Sequence, residues 1–256
     1  VMTGGRIVAE LGVGVVGIDV PAVQLMSGLF GRGLRSLGAT GAPVAAGLDT
    51  ASVCDMLRAA ADFQARAMQV SPLGPPPPSP DWDRLLARSK EIAREGEIAE
   101  SHRWKDAVKR VQRALPILRG RWESRPINAW CHGDLHPGNA MRRSRGFASV
   151  RRGEGPCVLV DMALVHPGHW LEDALYLERQ YWGHAEMLRG VKPLTELARL
   201  RRDHGLPVDD HYPDLANVRR VLMAACAPAV MEREGNPQYL ESALDIIERM
   251  LPQAVR

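Results

Sequence analysis

The 256-residue chain is 45% hydrophobic and 25% charged, an ordinary globular composition with material for a sizeable core and room for one large domain or two small ones. Its net charge is only +3 and its arginines are scattered despite a pI near 8.8, which argues against nucleic acid as a partner. Four well-separated cysteines without a C-x-x-C pair argue against a disulfide framework or zinc site, and no apolar run reaches the ~18 residues of a membrane span, so the reading is a cytoplasmic chain with reduced thiols and no membrane partner.

Residues 1–48 are glycine-rich, with apolar runs at Val13–Ile18 and Val20–Met26. Gly12-Val13-Gly14-Val15-Val16-Gly17 matches G-x-G-x-x-G by letter. A dinucleotide loop needs a helix after it and an acidic residue about 20 positions on, but Asp19 comes too soon and Pro21 breaks that helix. A kinase glycine loop needs a lysine on the next strand, and the first lysine of the chain is Lys90. The motif therefore reads as a glycine-rich turn. Nothing there resembles a cleavable secretion leader, and because the first residue is Val1, not Met, either an upstream segment is missing or the start is unusual.

Asp49–Met68 has Val53, Met56, Leu57, Ala60, Phe63 and Ala67 at helical spacing, and Ser52-x-x-Asp55 resembles a capping box. Leu73–Pro80 carries five prolines in eight residues, a stiff surface connector. From Asp81 to Glu123 the pattern is charged and helical, built on Trp82, Leu85 and Leu86 and then on Trp104, Val108, Val111 and Leu115, with an interruption at Pro116. Its many Arg and Glu neighbours read as a solvated face, with a substrate-facing role as the alternative.

Ile127–Cys131 reads as a short strand feeding the segment His132-Gly133-Asp134-Leu135-His136-Pro137-Gly138-Asn139, and Ala140–Met141 as the strand leaving it. Glycine and proline keep this segment out of regular helix or strand. An arginine-rich hairpin or loop spans Arg142 to Gly155, read either as solvated or as a clamp on an anionic substrate. Val158-Leu159-Val160-Asp161 then delivers a second carboxylate from the end of a buried strand. Later helices are expected from Trp170 to Tyr181, Pro193–His204, Asp214–Glu232 and Pro237–Leu251.

Asp134, Asn139 and Asp161 are the chemically informative residues. An aspartate can accept the proton of an attacking hydroxyl, while an amide oxygen and a second carboxylate suit Mg²⁺. The spacing His132-x-Asp134-(four residues)-Asn139 followed by a strand-borne aspartate fits the kinase template H-x-D-x-x-x-x-N.

On these residues the chain resembles the aminoglycoside phosphotransferase family and its choline-kinase-like relatives. The resemblance implies an α+β, protein-kinase-like fold: a mostly helical large lobe over 49–256, small β hairpins at the active site, and a truncated or degenerate N-terminal lobe over 1–48. It implies transfer of the γ-phosphoryl group of ATP (or GTP) to a hydroxyl of a small molecule. Asp134 would be the catalytic base, with His132 beside it anchoring the loop. Asn139 and Asp161 would bind Mg²⁺, and Asp173 would tie the loop to the following helix. Leu25 and Met26 would lie in the strand and linker that contact adenine. With no lysine before Lys90, slow or absent turnover is expected of the chain by itself.

Two other readings remain open. A kinase-like module without that lysine could be an impaired nucleotide-binding or scaffold protein. Alternatively His132, Asp134 and His136, with His166 and His169, could be transition-metal ligands of a phosphoesterase.

Overall fold

The computed structural model describes residues 49–96, 98–142, 157–231 and 237–256. The glycine motif, Leu25, Met26 and the arginine-rich segment from 143 to 155 lie outside these residues, as does the side chain of Arg142.

Helix α1 spans Thr50–Val70. Its start is Asp49, whose carboxylate accepts from the Ser52 amide at 2.6 Å. The expected Ser52…Asp55 box is therefore corrected: an aspartate one turn earlier already satisfies an orphan amide, a contact worth about 1 kcal/mol. Val53, Met56, Leu57, Ala60, Phe63 and Ala67 are buried, as their spacing predicts.

Helices α2 (Trp82–Glu95) and α3 (Ser101–Glu123) follow the proline run. Pro116 does not interrupt α3, which continues to Glu123. Proline costs about 3 kcal/mol inside a helix, but Leu115, Leu118 and Trp122 are buried around it, and that apolar stripe holds the last two turns in place.

Four short strands come next: β1 (Ala129–Cys131), β2 (Ala140–Arg142), β3 (Cys157–Leu159) and β4 (His166–Gly168). They form two antiparallel pairs, β1 with β4 and β2 with β3, so the β2–β3 pair is nested in sequence within the β1–β4 pair. The remaining helices are α4 (Leu171–Gln180), α5 (Pro193–Asp203), α6 (Tyr212–Ala225), α7 (Ala227–Met231) and α8 (Pro237–Ala254). The helix expected over Asp214–Glu232 is thus two, parted at Cys226. The mostly helical α+β architecture is the one expected.

The described elements fall into two compact units. One holds α1, the four strands, α4 and α5; in it α1 packs on β1, β3 and α5. The other holds α2, α3, α6, α7 and α8, centred on buried Trp104 and Trp122. The chain first passes from one unit to the other between Pro76 and Pro77, inside the proline run read as a surface connector, and passes between them again at later points. No described helix is long and apolar enough to cross a membrane.

Candidate active site

Every described residue predicted for the site lies in the first unit. The loop from His132 to Asn139 leaves β1 and re-enters as β2, held by two anchors. Asp173, in the first turn of α4, is fully buried; its Oδ2 accepts from the His132 amide and its Oδ1 from the Gly133 amide, each at 3.0 Å. The expected tie between loop and helix is found. Gly133 adopts φ +83°, and a Cβ there would run into the Leu164 carbonyl, so glycine is required at this bend.

The second anchor is Val160. Its amide donates to the Asn139 carbonyl at 2.9 Å, extending the β2–β3 register of Ala140 with Leu159 by one step. Its carbonyl accepts from His132 Nε2 at 2.9 Å. This residue therefore staples the loop's beginning and its end to the chain immediately before Asp161. The backbone next to Asp161 is thereby tied to Asn139, whose amide reaches Asp134, although the three residues are spread over 28 positions of sequence.

His132 is completely buried. Because a carbonyl can only accept, Nε2 carries the proton toward Val160, which leaves Nδ1 to accept from the Asp134 amide at 3.3 Å. Both ring nitrogens are committed to backbone. His136 similarly accepts through Nδ1 from the Gly138 amide and caps a single 3₁₀ turn, Pro137–Asn139, with Nε2 facing Asp134 Oδ2 at 3.5 Å.

The half-buried Asp134 carboxylate is oriented by its neighbours. Asn139 Nδ2 donates to Asp134 Oδ2 at 2.8 Å and to its carbonyl at 3.1 Å. The amide's nitrogen thus faces the aspartate, and its oxygen is the atom left for a cation. Asp161 is exposed and holds a left-handed conformation at φ 60°. The strand expected to carry it ends two residues earlier, at Leu159, so the carboxylate stands on a sharp turn instead of a buried strand end. A neutral amide oxygen and an exposed carboxylate are the donors a hard divalent cation takes.

Three contributors escape a motif reading. Tyr176, one turn after Asp173 on α4, hydrogen-bonds the Asp134 carboxylate; burial first, and then that anionic partner, push its phenol up to about 12. Gln64 and Arg201 form a buried relay behind Asp173. Gln64 Nε2 donates to Asp173 Oδ2 at 3.3 Å, Arg201 Nη1 donates to Gln64 Oε1 at 2.6 Å, and Arg201 Nη2 reaches the Pro207 carbonyl at 3.1 Å. Burial lowers the Arg201 guanidinium to about 10, which leaves it charged at neutral pH. A signal for both was present: Gln64 occupies the apolar stripe of α1 with Ala60 and Ala67, and Arg201 that of α5 with Leu194 and Leu197. A polar residue on a buried stripe demands a partner.

The profile of the phosphotransferase enzyme family matches residues 21–189, a span that includes every predicted site residue. The chain belongs to the phosphotransferase enzyme family. Among solved structures, one similar to it is a spectinomycin phosphotransferase in complex with ADP and spectinomycin. The two are 12% identical, the likeness covers 86% of this chain and 69% of that one, and the TM-score is 0.39. No curated protein matches the chain. Of the residues in the phosphoesterase reading, only His166 belongs to the one metal-capable cluster found among the described residues; that cluster otherwise comprises Cys131 and Glu172.

Proposed function

We propose that this member of the phosphotransferase family moves the γ-phosphoryl group of ATP or GTP to a hydroxyl group of a small molecule, with Asp134 as the base. The observation that carries the reading is the Val160 staple, which ties the backbone just before Asp161 to Asn139, whose side-chain amide holds the Asp134 carboxylate. Asn139 and Asp161 would hold Mg²⁺, whose chemistry when bound is to neutralise charge on the nucleotide's phosphates.

Asp134 receives the acceptor's proton as the new P–O bond forms. The Asn139 amide and the Tyr176 hydroxyl fix the rotamer of that carboxylate, so it meets the hydroxyl already aligned; orientation, more than basicity, is what such a site supplies. His132, with both ring nitrogens engaged by backbone, positions the loop and transfers no proton to or from substrate. In the same way Asp173 shapes the loop without touching substrate.

The test is transfer of label from γ-labelled ATP or GTP to a panel of small alcohols and amino alcohols, with Mg²⁺ present. Asp134→Asn should lower kcat by about 10²–10⁴ while leaving the melting temperature within a few degrees. Transfer at the wild-type rate in that variant would refute the assignment.

A further inference from the structure

Directly beneath the catalytic loop lies a second constellation that the phosphoryl-transfer site does not use. Cys131 ends β1 and pairs in register with His166, the first residue of β4, so the two side chains emerge on the same face of the ladder. Glu172, in the first turn of α4, completes the group; one ligand atom from each of the three residues lies within 4.8 Å of the others.

Three features aim these atoms at a common point. His166 Nδ1 donates to the Leu164 carbonyl at 2.8 Å, which fixes the ring and leaves Nε2 facing Glu172 Oε2 at 3.7 Å. A backbone carbonyl on the far nitrogen is the usual outer support of a metal-bound histidine. Glu172 Oε1 accepts from the His169 amide at 2.8 Å, so the carboxylate is held in place while Oε2 looks toward the histidine. Finally, the space between thiol and carboxylate exists only because residue 168 is glycine: a Cβ there would sit 2.8 Å from both Cys131 Sγ and Glu172 Oε1.

We propose that Cys131, His166 and Glu172 form a three-ligand site for a zinc-class divalent cation, with water in the fourth position. Sulfur, imidazole and one carboxylate are the ligand types of tetrahedral zinc, and bonds of about 2.0–2.3 Å require the donor atoms to close by only about an ångström from where they stand. Binding replaces the Cys131 thiol's bond to the His169 carbonyl, at 3.3 Å, with a thiolate–metal bond, and the thiol proton leaves to solvent. Cys131 is completely buried, but His166 and Glu172 are partly exposed and give the ion an approach. The site lies at the root of the catalytic loop: Cys131 precedes His132, and Glu172 precedes the Asp173 that holds the loop. Occupation ties β1, β4 and the start of α4 together at that point. Sequence spacing conceals the cluster, since its ligands come from three separate segments.

The experiment uses the full chain without nucleotide, so its outcome is independent of the phosphotransfer assay. Zn²⁺ titrated against a competing chromophoric chelator should bind at one equivalent and raise the melting temperature progressively with free zinc. Co²⁺ in its place should give a thiolate-to-metal charge-transfer band. Both signatures should vanish in Cys131→Ser and in His166→Gln. The latter alters a partly exposed residue and should melt, without metal, within a few degrees of wild type. Cys54→Ser and Cys157→Ser should leave both signatures intact. Absence of one-equivalent binding to the wild-type chain, or a band that survives His166→Gln, would overturn the proposal.

Discussion

Asp173 shows how much a single side chain can carry without touching a reactant. Its two oxygens accept three hydrogen bonds, from the His132 amide, the Gly133 amide and Gln64 Nε2, with no solvent exposure. Each buried donor left unpaired costs roughly 1–3 kcal/mol. Asp173→Ala should therefore destabilise the chain by roughly 3–5 kcal/mol in urea unfolding, and the surviving folded protein should lose kcat far more than it gains in KM. A loss below about 1 kcal/mol would mean that the loop holds its own shape. At this scale the motif letters were informative because the chemistry requires particular residue types at particular spacings: Asp134, Asn139 and Asp161 could be named from sequence. Their neighbours could not. Tyr176 reads as one more aromatic on an amphipathic helix until the fold sets it against Asp134.

Among the elements, α1 and α5 are joined by a polar relay inside an apolar interface. Removing Arg201 alone strands Gln64 Oε1, and removing Gln64 alone leaves a buried guanidinium with less support, whereas replacing both removes the demand together. A double-mutant cycle of Gln64→Leu and Arg201→Met should give a coupling energy of roughly 1–3 kcal/mol, with the double variant more stable than the sum of the singles predicts. Simple additivity would show the two residues to be independent. Helix α3 offers the opposite case. Pro116 is exposed and lies within an unbroken helix, so Pro116→Ala restores an amide to the helical ladder without disturbing Leu115 or Leu118. It should raise stability by about 1–3 kcal/mol, measured as an increase in thermal midpoint; an unchanged or lower midpoint would show that the proline sets a geometry the neighbouring helices need. The expectation of a break at Pro116 failed because a local penalty was judged without the buried stripe that outweighs it. The helix over Asp49–Met68 was legible because its apolar spacing and its burial agree, although its cap is Asp49 and not the Ser52…Asp55 box.

For the molecule as a whole, the pattern of helices and the α+β class follow from hydrophobic periodicity, which survives without knowledge of partners. The pairing of β1 with β4 around the β2–β3 ladder does not, because three-residue strands carry too little alternation to declare their neighbours. That nesting is what turns separated letters into a site, through the backbone of Val160. If Asn139 and Asp161 together hold a cation beside the Asp134 carboxylate, as proposed, nucleotide binding must depend on that cation through Asp161. The most direct measurement is calorimetric binding of ATP to the full chain with and without Mg²⁺, repeated for Asp161→Ala and Asp134→Asn. Binding should be strengthened by Mg²⁺ in the wild-type chain, keep that dependence in Asp134→Asn, and lose it in Asp161→Ala; affinity indifferent to Mg²⁺, or a magnesium dependence untouched by Asp161→Ala, would contradict the claim.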